Sequence, residues 1–483
     1  MTQNSFYWHD YETFGVDPQR DRAVQFAGLR TDFNFKIIGE PLVIYCKPAD
    51  DTLPQPEACC VTGITPQLAA EKGKPEAEFI ALIHEQMAQA DTCTLGYNNL
   101  RFDDEVTRNL LYRNFYDPYA REWQNGNSRW DLIDLVRTMH ALRPEGMRWP
   151  VDAEGRVSFR LEKLTAENGI THEDAHDALS DVHATIEIAR LIKQAQPKLF
   201  QFFLDNRGKH QVKQLLQLGS FTPVVHVSGM YGAGKQYLAL VLPICQDPSN
   251  SNGVIVYDLS VDPSVMLGLS VDEIQKCIFT AKADLPEGVE RIPLKTIHIN
   301  KCPIVAPEKV LRPNDAERLQ IDREQCYLHR DLIQLSQDII TKLTQVFSAK
   351  KFAADSNPDP DLMIYSGGFF SAADKQVMNT IRSLKPKELA DYTIPAGDLR
   401  LAAMLFRYRG RNFPETLNKE DQVLWKAFCR ERLSDGQKNG FLGFTAYSES
   451  IRKLKLQDGV GGIQLLNTLE QYAVELKARV AEE

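Results

Sequence analysis

No apolar run in this sequence comes near the roughly 20 residues that a membrane-spanning helix requires, and the mean hydropathy is −0.33. The opening residues, Met1 to Ser5, carry neither the basic nor the apolar segment of a signal peptide. The nine cysteines are odd in number and form no C-x-x-C pair, which speaks against a disulfide framework and against a zinc ribbon. Excess positive charge is also missing: 56 Lys and Arg face 65 Asp and Glu, for a net charge of −9. These absences disfavour membrane and secreted classes and predict a cytoplasmic protein with reduced thiols. An acidic total ordinarily counts against a nucleic-acid partner, yet a local basic channel can sit inside an acidic sum.

What is present is the composition of a globular chain, 43% hydrophobic and 25% charged, and 483 residues suggest about three domains. Residues 1–196 alternate strand and helix patterns. Strands are expected at 6–13, 42–46 and 93–97, and helices at 75–89, 104–114, 130–142 and 175–195, which together predict an α/β sheet domain. Residues 197–350 change texture. Short β-rich runs at 223–227, 237–243 and 253–259 are separated by Gly, Asn and Ser clusters, with helical insertions near 271–280 and 314–348. The polar stretch 353–361 reads as a linker, and 354–483 as a helical third domain.

Three acidic pieces lie in the first region. In Trp8-His9-Asp10-Tyr11-Glu12-Thr13, the two-residue period of a strand puts Asp10 and Glu12 on one face. Two carboxylates there repel each other unless a cation lies between them, and a hard divalent cation takes such oxygen ligands. A solvated strand end is the plainer alternative. Asn99-Leu100-Arg101-Phe102-Asp103-Asp104 ends a strand and opens a helix, where acids also favour the helix N-terminus. His176 and Asp181 stand at the start of another amphipathic helix.

Asp-x-Glu, then Asn-x-x-Phe-Asp, then His-x-x-x-x-Asp, in this order in one α/β domain, resembles the DEDDh exonucleases. Further segments are similar to bacterial exonuclease I: His9 to Gly15, Tyr45 to Asp51, Thr62-Gly63-Ile64-Thr65-Pro66, Asn300-Lys301-Cys302-Pro303 and Arg411-Asn412-Phe413-Pro414. The resemblance spans nearly the whole chain. It implies an RNase H-like nuclease domain, a β-rich SH3-like domain and a helical C-terminal domain that form a channel for single-stranded DNA. It also implies Asp10, Glu12, Asp103 and Asp181 as ligands of two Mg²⁺ ions, Glu12 with a second role at the substrate, and His176 as general base. Two such ions about 4 Å apart stabilise both the attacking and the leaving oxygen of a phosphodiester displacement, and a histidine of ordinary pKa suits proton removal near neutrality.

Lysine is missing altogether between Arg101 and Glu162, where ten arginines and nine aromatics stand. Arginine forks phosphates and stacks on rings, and aromatic faces stack bases without reading sequence. This is the composition of a groove for single strands. The alternative is that the arginines pair with the eleven acids of the same window. By resemblance, Arg160, Phe159, Arg108, Tyr119, Trp123, Arg137 and Arg143 are candidates for contact with the substrate.

Gly229 to Gln236 nearly fits a phosphate-binding loop, but Gln236 replaces the required hydroxyl and a strand pattern follows where a helix must open. A β-hairpin turn is expected there, and no ATPase. The leading expectation is a monomeric 3′→5′ exonuclease that degrades single-stranded DNA to 5′-mononucleotides in DNA repair and recombination. A related exoribonuclease or proofreading-type exonuclease, or a non-catalytic single-strand-binding platform, are the alternatives. The family also implies docking of the acidic C-terminal tail of single-stranded-DNA-binding protein, with Arg312 as a candidate contact.

Overall fold

The computed structural model describes residues 4–172, 177–348, 359–395, 397–434, 440–457 and 462–481. The chain forms two compact units. The first gathers residues 1–128, 172–186 and 354–483, and the second gathers 129–171 and 187–353. Sequence separation is therefore a poor guide to contact: the last third of the chain folds with the first.

The first unit is built on strands β1 (Ser5–Thr13), β2 (Ala23–Asp32), β3 (Leu42–Tyr45) and β4 (Thr92–Gly96), in the order β3-β2-β1-β4. β1 is central, antiparallel to β2 and parallel to β4. Its run Phe6-Tyr7-Trp8 is buried on both faces, as aromatic strand formers inside a covered sheet should be. Tyr7 and Tyr11 pack with Phe26, Phe79, Ile80, Ile83, Val106 and Leu110, of which Phe79 to Ile83 lie on the helix Glu76–Met87 and the last two on the helix Asp103–Arg113. The periodicity does not reveal β2. Seven consecutive buried positions, Ala23 to Leu29, leave no polar–apolar alternation to read.

Helices of the C-terminal segment complete this unit. Trp425, Cys429, Tyr447, Ile451, Leu469 and Leu476 share a core with Phe14, Val24 and Leu53. The same unit holds a buried ionic cluster. Asp51 receives Arg411 and Arg432, each at 2.8 Å, and Arg22 at 3.4 Å, and Asp361 receives Arg407 at 3.2 Å and Arg411 at 2.5 Å. Asp359 and Asp361 belong to the stretch expected to be a linker, and the structure corrects that for its end. Both are buried acids that hold arginines, while 353–358 lie outside the described residues.

The chain passes from the first unit to the second at β5 (Ser128–Asp131). The helix expected from 130 begins instead at Leu132, because Asp131 caps it, accepting from the Ile133 N–H at 3.0 Å. The second unit carries an antiparallel sheet of β6 (Val224–Val227), β7 (Leu238–Gln246), β8 (Gly253–Asp258), β9 (Leu294–His298) and β10 (Ile304–Pro307), in the order β10-β6-β7-β8-β9. β9 and β10 are strands that the sequence pattern does not include. Helices Val271–Phe279, Arg323–Leu335 and Ile339–Ser348 account for the expected insertions. The glycine-rich segment connects the antiparallel strands β6 and β7, and Lys235 is paired with Asp258 at 2.5 Å and with Ser260 at 2.8 Å. It is a structural turn.

Candidate active site

β1 delivers Asp10 and Glu12 to the same face, as its period requires. Asp181 comes from the first turn of the helix Ala178–Ala195. One carboxylate oxygen from each of Asp10, Glu12 and Asp181 lies within 4.8 Å of the other two, the spacing of ligands around one cation. Asp103 opens the helix Asp103–Arg113, and its Oδ1 accepts the Tyr11 backbone N–H at 3.1 Å, which ties it to the same strand between the two β1 acids. Three acids in that first turn also meet the positive end of the helix dipole.

Crowding shows in the proton affinities. Burial, reinforced by Asp181, Asp103 and Asp177, pushes the Glu12 carboxyl up to about 8. Burial together with Asp103, Glu12, Asp181 and Asp177 drives Asp10 well above the usual carboxylate range. A cluster of this kind is stabilised by divalent cations, whose hard character suits an all-oxygen donor set. The residues present fit a metal centre.

Two residues outside the acidic motifs build the support. Gln25 lies opposite Glu12 in the β1–β2 register. Its amide donates to Asp177 Oδ2 at 3.1 Å and accepts from the Ala178 N–H at 3.4 Å, so β2 holds the N-terminus of the helix bearing Asp181. His172 Nε2 sits 2.5 Å from Asp181 Oδ1. Gln25 escapes the sequence pattern because β2 does, and His172, four residues before His176, belongs to no motif of its own. His176 lies outside the described residues.

The family models described as "Exonuclease", "Exonuclease I SH3-like domain" and "Exonuclease I C-terminal domain" match residues 7–189, 207–349 and 358–476. Exodeoxyribonuclease I of Haemophilus influenzae is 46% identical over 476 residues, 98% of each chain. The chain belongs to the exodeoxyribonuclease I family. Among solved structures, a moderately thermophilic exonuclease I from Methylocaldum szegediense matches at 50% identity and a TM-score of 0.93, covering 98% of this chain and 99% of that one. E. coli exonuclease I in complex with a dA16 oligonucleotide matches at 45% and 0.92, covering 98% and 100%. A zinc-bound E. coli exonuclease I–single-stranded DNA complex and an exonuclease I/SSB-Ct complex match over the same 98% of the chain. Membership makes the protein a nuclease, a hydrolase acting on DNA, in a metal-dependent exonuclease family.

The other candidates of this exonuclease fold divide by environment. Arg108 is buried and committed to Glu122 at 2.7 Å and Glu105 at 2.6 Å, with its guanidinium over the Tyr119 ring. Arg113 holds Glu76 at 3.0 Å, and Arg121 is fully buried against Asp104 at 2.7 Å. For these three, pairing with neighbouring acids describes the arginine-rich window better than a phosphate groove does. Trp123, 66% exposed, presents its ring to solvent. Tyr119 is half-buried and meets Phe369 edge-on at 6.1 Å. Phe369 is 88% exposed and, with Tyr365, is a surface aromatic of the first unit that the window did not include; the Gly367-Gly368-Phe369-Phe370 run was its signal.

In the second unit, Arg160 is widely exposed and Phe159 is buried edge-on to Tyr237 and His140. Arg137 pairs with Asp134 at 2.6 Å and lies over the Tyr237 ring. Arg143 and Arg312 both hold the buried Asp315, at 3.0 and 2.7 Å, and Arg318 approaches the same carboxylate at 3.6 Å. Three guanidiniums around one carboxylate leave local positive charge.

Proposed function

We propose that the protein is a Mg²⁺-dependent 3′→5′ exonuclease that degrades single-stranded DNA processively to 5′-mononucleotides, acting as a monomer in the cytoplasm in DNA repair. The observation that carries this reading is the convergence of Asp10, Glu12 and Asp181, with Asp103 tied to the same strand. These four side chains would hold two Mg²⁺ ions, which when bound supply charge neutralisation at the attacking and leaving oxygens of the phosphodiester. His176 removes the proton of the attacking water, and Glu12 also faces the terminal nucleotide. Trp123 and Tyr119 stack bases, and Arg160, Phe159, Arg137 and Arg143 contact the strand. Among the described residues no helix is long and apolar enough to cross a membrane.

The SSB-Ct complex of exonuclease I supports a matching partner here. Its C-terminal carboxylate would be received by Arg312, whose side chain is 44% exposed while its neighbour Asp315 is buried. Incubating a 5′-labelled single strand with and without Mg²⁺ tests the reading. Stepwise shortening from the 3′ end only with the metal is expected. Binding without shortening would favour a single-strand-binding platform, and equal cleavage of RNA an exoribonuclease.

A further inference from the structure

We propose that His172 is a positioning residue for the metal centre, holding the Asp181 carboxylate in the orientation that binds the cation. The inference rests on the reading of Asp181 as a ligand. The backbone of the helix Ala178–Ala195 is already registered on the sheet: Gln25 engages Asp177 and Ala178, and Asp177 Oδ1 accepts the Ser180 N–H at 3.2 Å. Those contacts fix where the helix starts. They do not set the rotation of the Asp181 side chain about its own two bonds. His172 restrains that rotation by placing Nε2 2.5 Å from Oδ1.

An ionised carboxylate only accepts, so the Nε2 atom carries the hydrogen and donates it. One oxygen of Asp181 then faces the imidazole, and one of its carboxylate oxygens lies within the group it forms with Asp10 and Glu12. A hydrogen bond to a charged acceptor is short and strong, and partners of metal ligands commonly account for about 10–100-fold in metal affinity. The His172 side chain is only 4% exposed, less than the 18% of Asp181, so it approaches the carboxylate from the protein side. That placement separates it from His176 in role: His172 orients a ligand and takes no proton from water.

Mn²⁺ binding to the full chain without DNA, followed by electron paramagnetic resonance, tests this directly. His172→Phe keeps the ring and its packing but removes the donor, and should weaken Mn²⁺ by about 10–100-fold. His172→Gln keeps a donor and should restore most of that loss. Hydrolysis by His172→Phe should recover at saturating Mg²⁺, which loss of a general base would not allow. Equal Mn²⁺ affinity of the Phe and Gln variants, or an activity loss that saturating metal leaves in place, would overturn the proposal. Asp181→Ala serves as the reference. If it binds Mn²⁺ like the parent, the ligand assignment itself fails; if it loses Mn²⁺ while the His172 variants do not, only the positioning role fails.

Discussion

Asp51 and Asp50 are neighbours in sequence and opposites in environment, which makes their replacement a measurement of what burial does to an ion pair. Asp51 is 0% exposed, and its Oδ2 receives Arg411, Arg432 and Arg22. The guanidiniums hold its carboxyl well below the usual range, despite the burial that opposes ionisation. Asp50 pairs with Arg479 at 3.0 Å on the surface, both side chains more than a third exposed. Asp51→Asn preserves the shape and leaves guanidinium charge uncompensated in a dry site, at a cost of about 3–5 kcal/mol. Arg411 and Arg432 keep Asp361 as a second partner, which favours the lower end. With a urea dependence of about 3 kcal/mol per molar, the midpoint should fall by about 1 M or more. Asp50→Asn should cost no more than about 1 kcal/mol. Urea unfolding followed by tryptophan fluorescence reads both, since Trp425 is buried in the core of the same unit. Equal midpoints for the two variants would refute the argument that this cluster acts as a buried, desolvated network.

The same network sets the acid limit of stability. Glu76 is held down to about 2 by Arg113 and Arg22, below its unfolded value, so its stabilisation is complete above about pH 5 and is lost as pH falls toward 2; acid titration by circular dichroism checks this, and Glu76→Gln should flatten the curve. Glu12 has the opposite sign: its folded value near 8 exceeds the unfolded one, so metal-free stability should fall as pH rises from about 5 to 8. Added Mg²⁺ should raise the melting temperature more at pH 8 than at pH 6, and an equal rise at both would sink the shared-charge account. His176→Ala should lower hydrolysis by about 10²–10⁴-fold while single-strand binding in Ca²⁺ survives; activity near the parent's would remove it as the base. Replacing Arg137 and Arg143 together by Ala should flatten the plot of log affinity against log salt by about 0.7 for each phosphate that is no longer neutralised, whereas Trp123→Ala should weaken binding by roughly 1–3 kcal/mol with the slope kept. An unchanged slope in the arginine pair would assign those two residues to Asp134 and Asp315 alone.

The sequence by itself determined the acidic pairings that are local. Asp10 and Glu12 share a face because a strand has period two, and Asp103 opens a helix because acids favour its first turn. The order of the acidic motifs and the full-length resemblance carried the family. Tertiary structure alone decided which charges are spent inside. Arg108, Arg113 and Arg121 belong to the arginine-rich window, which leaves groove and acid pairing both open, and each is buried against an acid 3 to 37 residues away. Asp359 and Asp361 read as linker, yet they anchor arginines from two later helices. Gln25 and His172 have no local signature, since their partners Asp177 and Asp181 are 152 and 9 residues away. Composition reports how many charges a chain has, while their pairing depends on which segments meet in three dimensions. Long-range contact, and the burial that makes an unpaired charge costly, is set only when the chain closes on itself.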